Sequence, residues 1–506
     1  MSTSIKNIVI VGGGTAGWLT ASIIAAHHKS AHPDALRVTL IESSDIPTVG
    51  VGEGTWPTMK NTIRDIGLKE SEVFKQCHAA FKQGGKFVNW VHGSGDFYYH
   101  PFTVPLGYGR IDLAPYVDDI ENFAVESNFQ HHVCEANLAP RTLNDDEYQG
   151  QCNYAYHLDA GAFAELLKKH CVDNLNVKHV VDTVKKVHVD SDQNIQAVEL
   201  ESTGPIRADI YIDCTGFASL LLGKALGVPF KSTQDVLFND SALALQVPYE
   251  TEISPLASHT IATGQKAGWT WDIGLTSRRG VGHVYSSEFI SDDEAESILR
   301  DYAGPMSHDL AVKRFKFQSG HRETFWKNNC VAVGLSAGFV EPLEATALML
   351  IEISARFIAE NVPADPSLIG ITAKRFNTQQ HYRWRRIIDF LKLHYMLTQR
   401  PEPYWQKNRD PATVPESLQE DLAVWGFRGP ITSDFDAAIE LFPAASYQYV
   451  LYGMGFKPDF SRQAYLYKQE QQARQIINRN HQLTEQMLRT LPPHREYIER
   501  WLAASH

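Results

Sequence analysis

The sequence predicts an α/β chain: a nucleotide-binding domain at its N-terminus, β structure through its middle, and a helical module at its C-terminal end. Three observations predict this. A β-branched run, Ile8–Val11, leads into Gly12-Gly13-Gly14-Thr15-Ala16-Gly17 and then a helical stretch to about His28. Alternating apolar and polar runs between Thr183 and Ile212 read as a β-meander. From about Thr372 the composition shifts to Arg, Gln, Leu and aromatic residues with helical spacing, as in Ala373–Leu397 and Ser461–Arg489. The expected division is 1–371 and 372–506, because 506 residues exceed what one core usually organises.

The opening βαβ unit is Rossmann-like. Gly12 permits the tight turn, Gly14 lets the backbone approach a pyrophosphate, and Gly17 lets the helix pack on the strand. The helix N-terminus offers free N–H groups and the positive end of its dipole to phosphate. A second strand, Val38–Ile41, ends at Glu42, placed to accept hydrogen bonds from a ribose. The meander returns to this domain at Asp213-Cys214-Thr215-Gly216. A later strand, Cys330–Val333, leads into Gly334-Leu335-Ser336-Ala337-Gly338, then a helix from about Glu344 to Glu360. The chain carries one dinucleotide fingerprint. One early βαβ with a late strand and glycine turn closing over it suits FAD, in the manner of glutathione reductase and p-hydroxybenzoate hydroxylase. No nicotinamide domain is built in, so reduced flavin is expected from a separate reductase. The stretches 85–180 and 225–325 are left to carry substrate-side β structure and loops.

Composition narrows the rest. Hydrophobic residues make up 43% and charged residues 21%, which is globular. A formal charge of −12 argues against nucleic acid or an anionic membrane as partner. The six cysteines form no C-x-x-C pair, so neither a zinc site nor a disulfide framework is suggested. With neither a signal peptide nor an apolar run of spanning length, the expectation is a cytoplasmic protein with no metal centre.

Several segments together resemble the flavin-dependent tryptophan halogenase family, along nearly the whole chain. They are Gly12–Gly17 followed by Trp18, Val51-Gly52-Glu53-Gly54-Thr55, Phe81-Lys82 ahead of Lys86-Phe87-Val88-Asn89-Trp90, Trp269-Thr270-Trp271-Asp272-Ile273, and Phe339-Val340-Glu341-Pro342-Leu343-Glu344-Ala345-Thr346. The two-tryptophan motif is the most specific. The resemblance implies that reduced FAD and oxygen give a C4a-hydroperoxide, that chloride or bromide attacks it to form hypohalous acid, and that this oxidant crosses a tunnel to an electron-rich, indole-like aromatic. Partners would be that substrate and a flavin reductase; the family implies a monomer or homodimer. Thr15, Ala16, Val184, Leu335 and Leu348 join Gly12, Gly14, Gly17 and Glu42 as implied FAD contacts.

The resemblance assigns Lys82 as the reactive lysine and Glu344 as the active-site carboxylate. An ammonium donates a hydrogen bond to hypohalous acid, and a neutral amine forms a haloamine. A carboxylate stabilises the cationic ring intermediate or takes its proton. Standing alone, Lys82 would read as a solvated surface group, and Glu344 as an acid favoured at a helix start. Lys86 competes with Lys82 and ranks second. Thr346 and Ala347 match the positions whose backbone N–H groups hold halide, with alanine where the family usually has glycine. Trp269, Trp271 and Ile273 would wall the tunnel; Gly274 replaces the usual proline, which predicts a looser backbone there. His100 and Phe102 match ring-stacking positions.

The C-terminal anchors of free tryptophan are missing from 431–443. The family's tyrosine pair is absent, its glutamate position falls on Ala437 or Ala438, and its tryptophan position on Phe442 or Pro443. Losing partners for a buried ammonium and carboxylate costs on the order of several kcal/mol, so bare indole, a substituted indole or a larger aromatic is expected in place of free tryptophan. Two other readings compete: a single-component FAD-dependent aromatic hydroxylase (monooxygenase), and a non-catalytic flavin-binding relative.

Overall fold

The computed structural model describes residues 4–32, 34–45 and 52–504. Val51 of the second motif lies outside them. The chain forms two compact units, each assembled from three segments: Met1–Ala79, Leu158–Thr233 and Gln318–Trp384 in the first, and Ala80–His157, Gln234–Phe317 and Arg385–His506 in the second. Compactness thus follows a different partition from 1–371 and 372–506.

The first unit is built on a six-stranded sheet in the order Trp326–Lys327, Cys330–Ala332, Ile210–Asp213, Asn7–Val11, Arg37–Glu42, Lys178–Val181. Its first strand pairs antiparallel and all later neighbours pair parallel. Parallel strands need crossovers and are buried on both faces, which is why they read as near-continuous Val and Ile. The register sets Val11 beside Ile41 on one side and Asp213 on the other. Gly12, Glu42 and Cys214 therefore follow at one carboxyl edge, where ligands bind in open α/β sheets. Helix Thr15–His27 is buried from Gly17 to Ala25 and packs against helices Ala160–Asp173 and Thr346–Asn361. The meander is a three-stranded antiparallel sheet, Val184–Val189, Ile195–Leu200 and Gly204–Ile206.

The second unit holds a seven-stranded sheet in the order Lys313–Lys316, Ser241–Val247, Arg279–Tyr285, Gly268–Gly274, Thr260–Gln265, Gly84–Val88, Phe97–Pro101. Only Thr260–Gln265 and Gly84–Val88 pair in parallel. Helices Glu416–Arg428, Ala444–Gly453, Glu470–Thr490 and His494–Ala504 complete this unit.

Two expected helices differ. The helix expected from Glu344 begins at Thr346, because Ala345 takes left-handed angles (φ 53, ψ 40) and breaks the register. The helix expected from Ser461 begins at Glu470. Asp459 accepts from Ser461 N–H (3.2 Å) and closes a short turn at Phe460–Gln463 first. Gly274 is held in the ladder opposite Arg279. A Cβ at Gly274 would stand 2.7 Å from Leu256 Cδ1.

A Cβ on Gly17 would lie 1.8 Å from Gly12 O. Gly17→Ala should therefore push helix from strand, costing about 1–3 kcal/mol. Calorimetry with and without FAD checks this: a lowered Tm and a protein that no longer retains flavin are expected.

Candidate active site

The nucleotide cradle comes from the first unit. Gly12 has φ +116, and a Cβ there would sit 2.1 Å from Cys214 O. Its N–H donates to Ile41 O at 2.8 Å. A Cβ on Gly14 would meet nothing within 4 Å, which leaves the space a pyrophosphate needs. Thr15 Oγ1 donates to Ala160 O (3.4 Å). A Cβ on Gly334 would lie 2.8 Å from the Ala16 Cβ, so the late glycine turn abuts the early one. Leu335 is exposed beside it, Val184 is half-buried, and Leu348 is buried in the first turn of its helix.

Glu42 is held before any ribose arrives. Its Oε1 takes Lys168 Nζ (3.1 Å) and His179 Nε2 (2.8 Å), and Trp18 Nε1 donates to Oε2 (3.3 Å). A carboxylate keeps further lone pairs for hydroxyls, so these residues fit the adenosine end of FAD. Asp213, noted in the sequence only as part of the segment that returns to this domain, has a specific role. It accepts from the backbone N–H groups of Thr215, Leu221 and Leu222 (2.8–3.0 Å) and fixes the turn beside the cradle. Its place at the end of a parallel strand was the available signal.

Glu344 is buried, in the turn just ahead of helix Thr346–Asn361. It stands one residue ahead of the N-cap Ala345, where the positive end of the helix dipole favours a carboxylate. No side chain caps this helix. Its first N–H groups, which include those of Thr346 and Ala347, have no intrahelical partner and suit an anion. Alanine in left-handed geometry costs roughly 1–2 kcal/mol, so something must hold Ala345 there. Glu53 belongs to the strand Gly52–Gly54. Burial, and then the charge of Asp159, push its carboxyl up to about 7.

In the second unit, Lys82 ends the short strand Ala80–Lys82, which pairs antiparallel with Ala155–His157. Lys82 is 5% exposed, and its Nζ lies 5.2 Å from the centroid of the Phe102 ring. Phe102 N–H donates to Gln83 O (3.1 Å), which explains how the two meet. Buried histidines surround this strand. His494 Nε2 accepts from Phe81 N–H (3.0 Å), so its Nδ1 carries the proton, donated to Leu256 O (3.1 Å). Desolvation pushes His494 down to about 4, and with charges such as Lys86 takes His259 to about 3. His157 is driven well below its ordinary value by desolvation and then by Lys82.

Strand alternation sorts the remaining candidates. Trp271 lies opposite Ala262, Ala262 beside Phe87, and Gly85 opposite His100. Side chains of directly paired residues share a face, and successive residues alternate. Trp269, Trp271, Ile273, Phe87 and His100 thus share one face. The Trp271 indole lies over Gly282, where a Cβ would be 2.0 Å away. His100 is buried, hydrogen-bonded to Ser446 Oγ (2.9 Å) and edge-on to Phe390 (5.7 Å between centroids). Phe390 stacks on Phe442 at 3.9 Å. Ala437 is half-buried and Ala438 exposed.

Lys86 is on the other face with Tyr99, Ile261 and Asp272. It is paired with Glu135 and lies 4.3 Å from the Phe97 ring centroid. A cleft of about 550 Å³ opens there, lined by Lys86, Glu135, His259, Asp272 and Arg279 among others. Its charges pair among themselves, Lys86 with Glu135 and Arg279 with Asp272. Another feature sequence reasoning missed is the buried network in which Arg386 donates to Asp421 (2.8 Å) and Tyr447 Oη (2.9 Å). Its partners are 35 and 61 residues away, and no local pattern announces such pairs. Among the described residues, no group of three or more His, Cys, Asp or Glu is placed to hold a metal. No helix there is long and apolar enough to cross a membrane.

Fold and cradle together define a dinucleotide-binding oxidoreductase of the flavoprotein type. The tryptophan halogenase family model matches residues 7–469. The 7-chloro-L-tryptophan 6-halogenase of Kutzneria sp. (strain 744) is 35% identical over 520 residues, covering 97% of this chain and 99% of that one. The crystal structure of a tryptophan halogenase from Shewanella frigidimarina NCIMB 400 superposes with TM-score 0.94 at 42% identity, covering 99% and 98%. A tryptophan C-6 flavin-dependent halogenase (chlorinase) from taromycin biosynthesis gives TM-score 0.92 at 34% identity, covering 98% and 100%. The chain belongs to the tryptophan halogenase family. It is a flavin-dependent halogenase, using reduced FAD with chloride or bromide on an indole-like substrate.

Protonated Glu53 favours the folded state. That contribution is full below pH 4.5 and is lost as pH rises through about 7. Glu53→Gln should melt above the parent at pH 8, with the gap closing toward pH 5; parallel melting curves across that range check it.

Proposed function

We propose that the enzyme halogenates an indole lacking the free amino-acid end, or a larger aromatic, with Lys82 and Glu344 as its working residues. Reduced FAD and oxygen supply the oxidising power that converts halide to hypohalous acid. In this reading the N–H groups of Thr346 and Ala347 hold the halide, and Gly12, Gly14, Thr15, Ala16, Gly17, Glu42, Val184, Leu335 and Leu348 hold the cofactor. Trp269, Trp271 and Ile273 exclude water and bulky substrate from the passage. Lys82 holds the oxidant for the substrate ring, and Glu344 stabilises the cationic ring and takes its proton.

One observation carries the reading: Lys82 is withdrawn from solvent with its ammonium toward the Phe102 ring. Withdrawal from bulk water lets an amine there meet a small neutral oxidant without competing solvent. The ranking of Lys82 over Lys86 is supported by the pairing of Lys86 with Glu135 on the other face from His100. The substrate side is supported by Phe390 and Ser446 against His100, with Phe442 stacked on Phe390, all three within 372–506; we assign that segment to covering the substrate. A separate reductase supplies the flavin, as monomer or homodimer the enzyme needs no further partner, and six buried free thiols suit the cytoplasm.

Lys82→Ala should abolish halogenation while FAD still binds, and Lys86→Ala should keep most of the activity. Mass spectrometry with added reductase, in chloride and bromide separately, measures both. Retained product from Lys82→Ala would end the assignment. On a panel of indoles, phenols and free tryptophan, bare or substituted indole should outrun tryptophan in kcat/KM by at least about tenfold, as expected for lost charged partners. Efficient, saturable turnover of tryptophan would refute the substrate reading.

A further inference from the structure

The peptide between Glu344 and Ala345 is pinned at both polar atoms. Its carbonyl, Glu344 O, accepts from Trp56 Nε1 at 2.7 Å, and its N–H, on Ala345, donates to Pro342 O at 3.0 Å. The contact to Trp56 is buried, and the indole is 8% exposed. Beyond this peptide the chain takes the left-handed angles at Ala345 and enters helix Thr346–Asn361.

Trp56 is itself held against that helix. Trp56 O accepts from Met59 N–H (3.0 Å), opening helix Met59–Asp65. Further along, Thr58 and Thr62 donate to the two oxygens of Glu352 at 3.1 and 2.6 Å, and Arg356 donates to Thr62 Oγ1 at 3.1 Å. The indole N–H therefore acts from a fixed base. A backbone that would otherwise relax out of the left-handed region has its plane set by this bond.

We infer that Trp56 is the positioning residue of the halide end of the site: its indole N–H fixes the Glu344–Ala345 peptide, which aims both the Thr346 and Ala347 amides and the Glu344 carboxylate. This rests on the assignment of those residues in the proposed function. A packing residue alone would not need the N–H, and phenylalanine would serve as well.

Trp56→Phe keeps an aromatic ring but removes the N–H donor together with the bulk of the indole's second ring. The expected result is a folded protein that binds FAD as the parent does, with a halide KM raised about five- to tenfold, the range for one lost buried hydrogen bond. More flavin should be oxidised to hydrogen peroxide without product. Independently of turnover, bromide in place of acetate at equal ionic strength should raise Tm less in the variant than in the parent. Adding Ala345→Gly, which takes positive φ without penalty, should recover part of the halide KM. An unchanged halide KM, product-to-peroxide ratio and bromide-dependent Tm in folded Trp56→Phe would overturn the inference, as would no recovery with Ala345→Gly. Glu344→Gln, measured alongside, reads the underlying assignment separately: its full activity would sink that assignment, whereas its loss with Trp56→Phe unaffected would sink only the role of Trp56.

Discussion

At the carboxyl edge of the parallel sheet, backbone segments approach each other with no room for a side chain between them. Gly12 lies against Cys214 O, Gly17 against Gly12 O, and Gly334 against Ala16. These contacts bring the first turn, the end of the Ile210–Asp213 strand and the late glycine turn to one place. They also settle where the helices start, and so where unpaired N–H groups gather. The phosphate cradle follows from this crowding: Gly14 alone of the fingerprint glycines opens onto free space.

The same economy governs charge. Glu42 is paired with Lys168 and stands beside His179 Nε2, and Asp213 is absorbed by backbone N–H groups. Burial lowers the pKa of His157, His259 and His494, with Lys82 a further cause at His157. Lys86 is paired with Glu135.

In the second unit, the two-residue period of a strand does the sorting. Trp269, Trp271 and Ile273 fall on the face that carries His100, and Asp272 on the face that carries Lys86. The wall of large side chains is accommodated by small ones across the ladder, as Gly282 is beneath Trp271. Two surfaces of different character thus arise from one sheet: aromatic on one side, ion-paired on the other.

Local signals were enough to read the opening βαβ unit and the meander between 184 and 206, since each is written in contiguous spacing; Lys82, Trp269, Trp271 and Glu344 were singled out through the family resemblance. The left-handed turn at Ala345 was not readable, because alanine carries no local preference for it and a tryptophan 289 positions earlier bonds the preceding carbonyl, Glu344 O. The division of the chain into compact units was likewise hidden, since each gathers three distant segments. Sequence by itself determined the class of fold and the family resemblance, through periods, turns and motifs that span a few residues. Only the tertiary structure decided that Lys86 meets Glu135 and which peptide planes are pinned, because those outcomes depend on contacts between segments far apart along the chain.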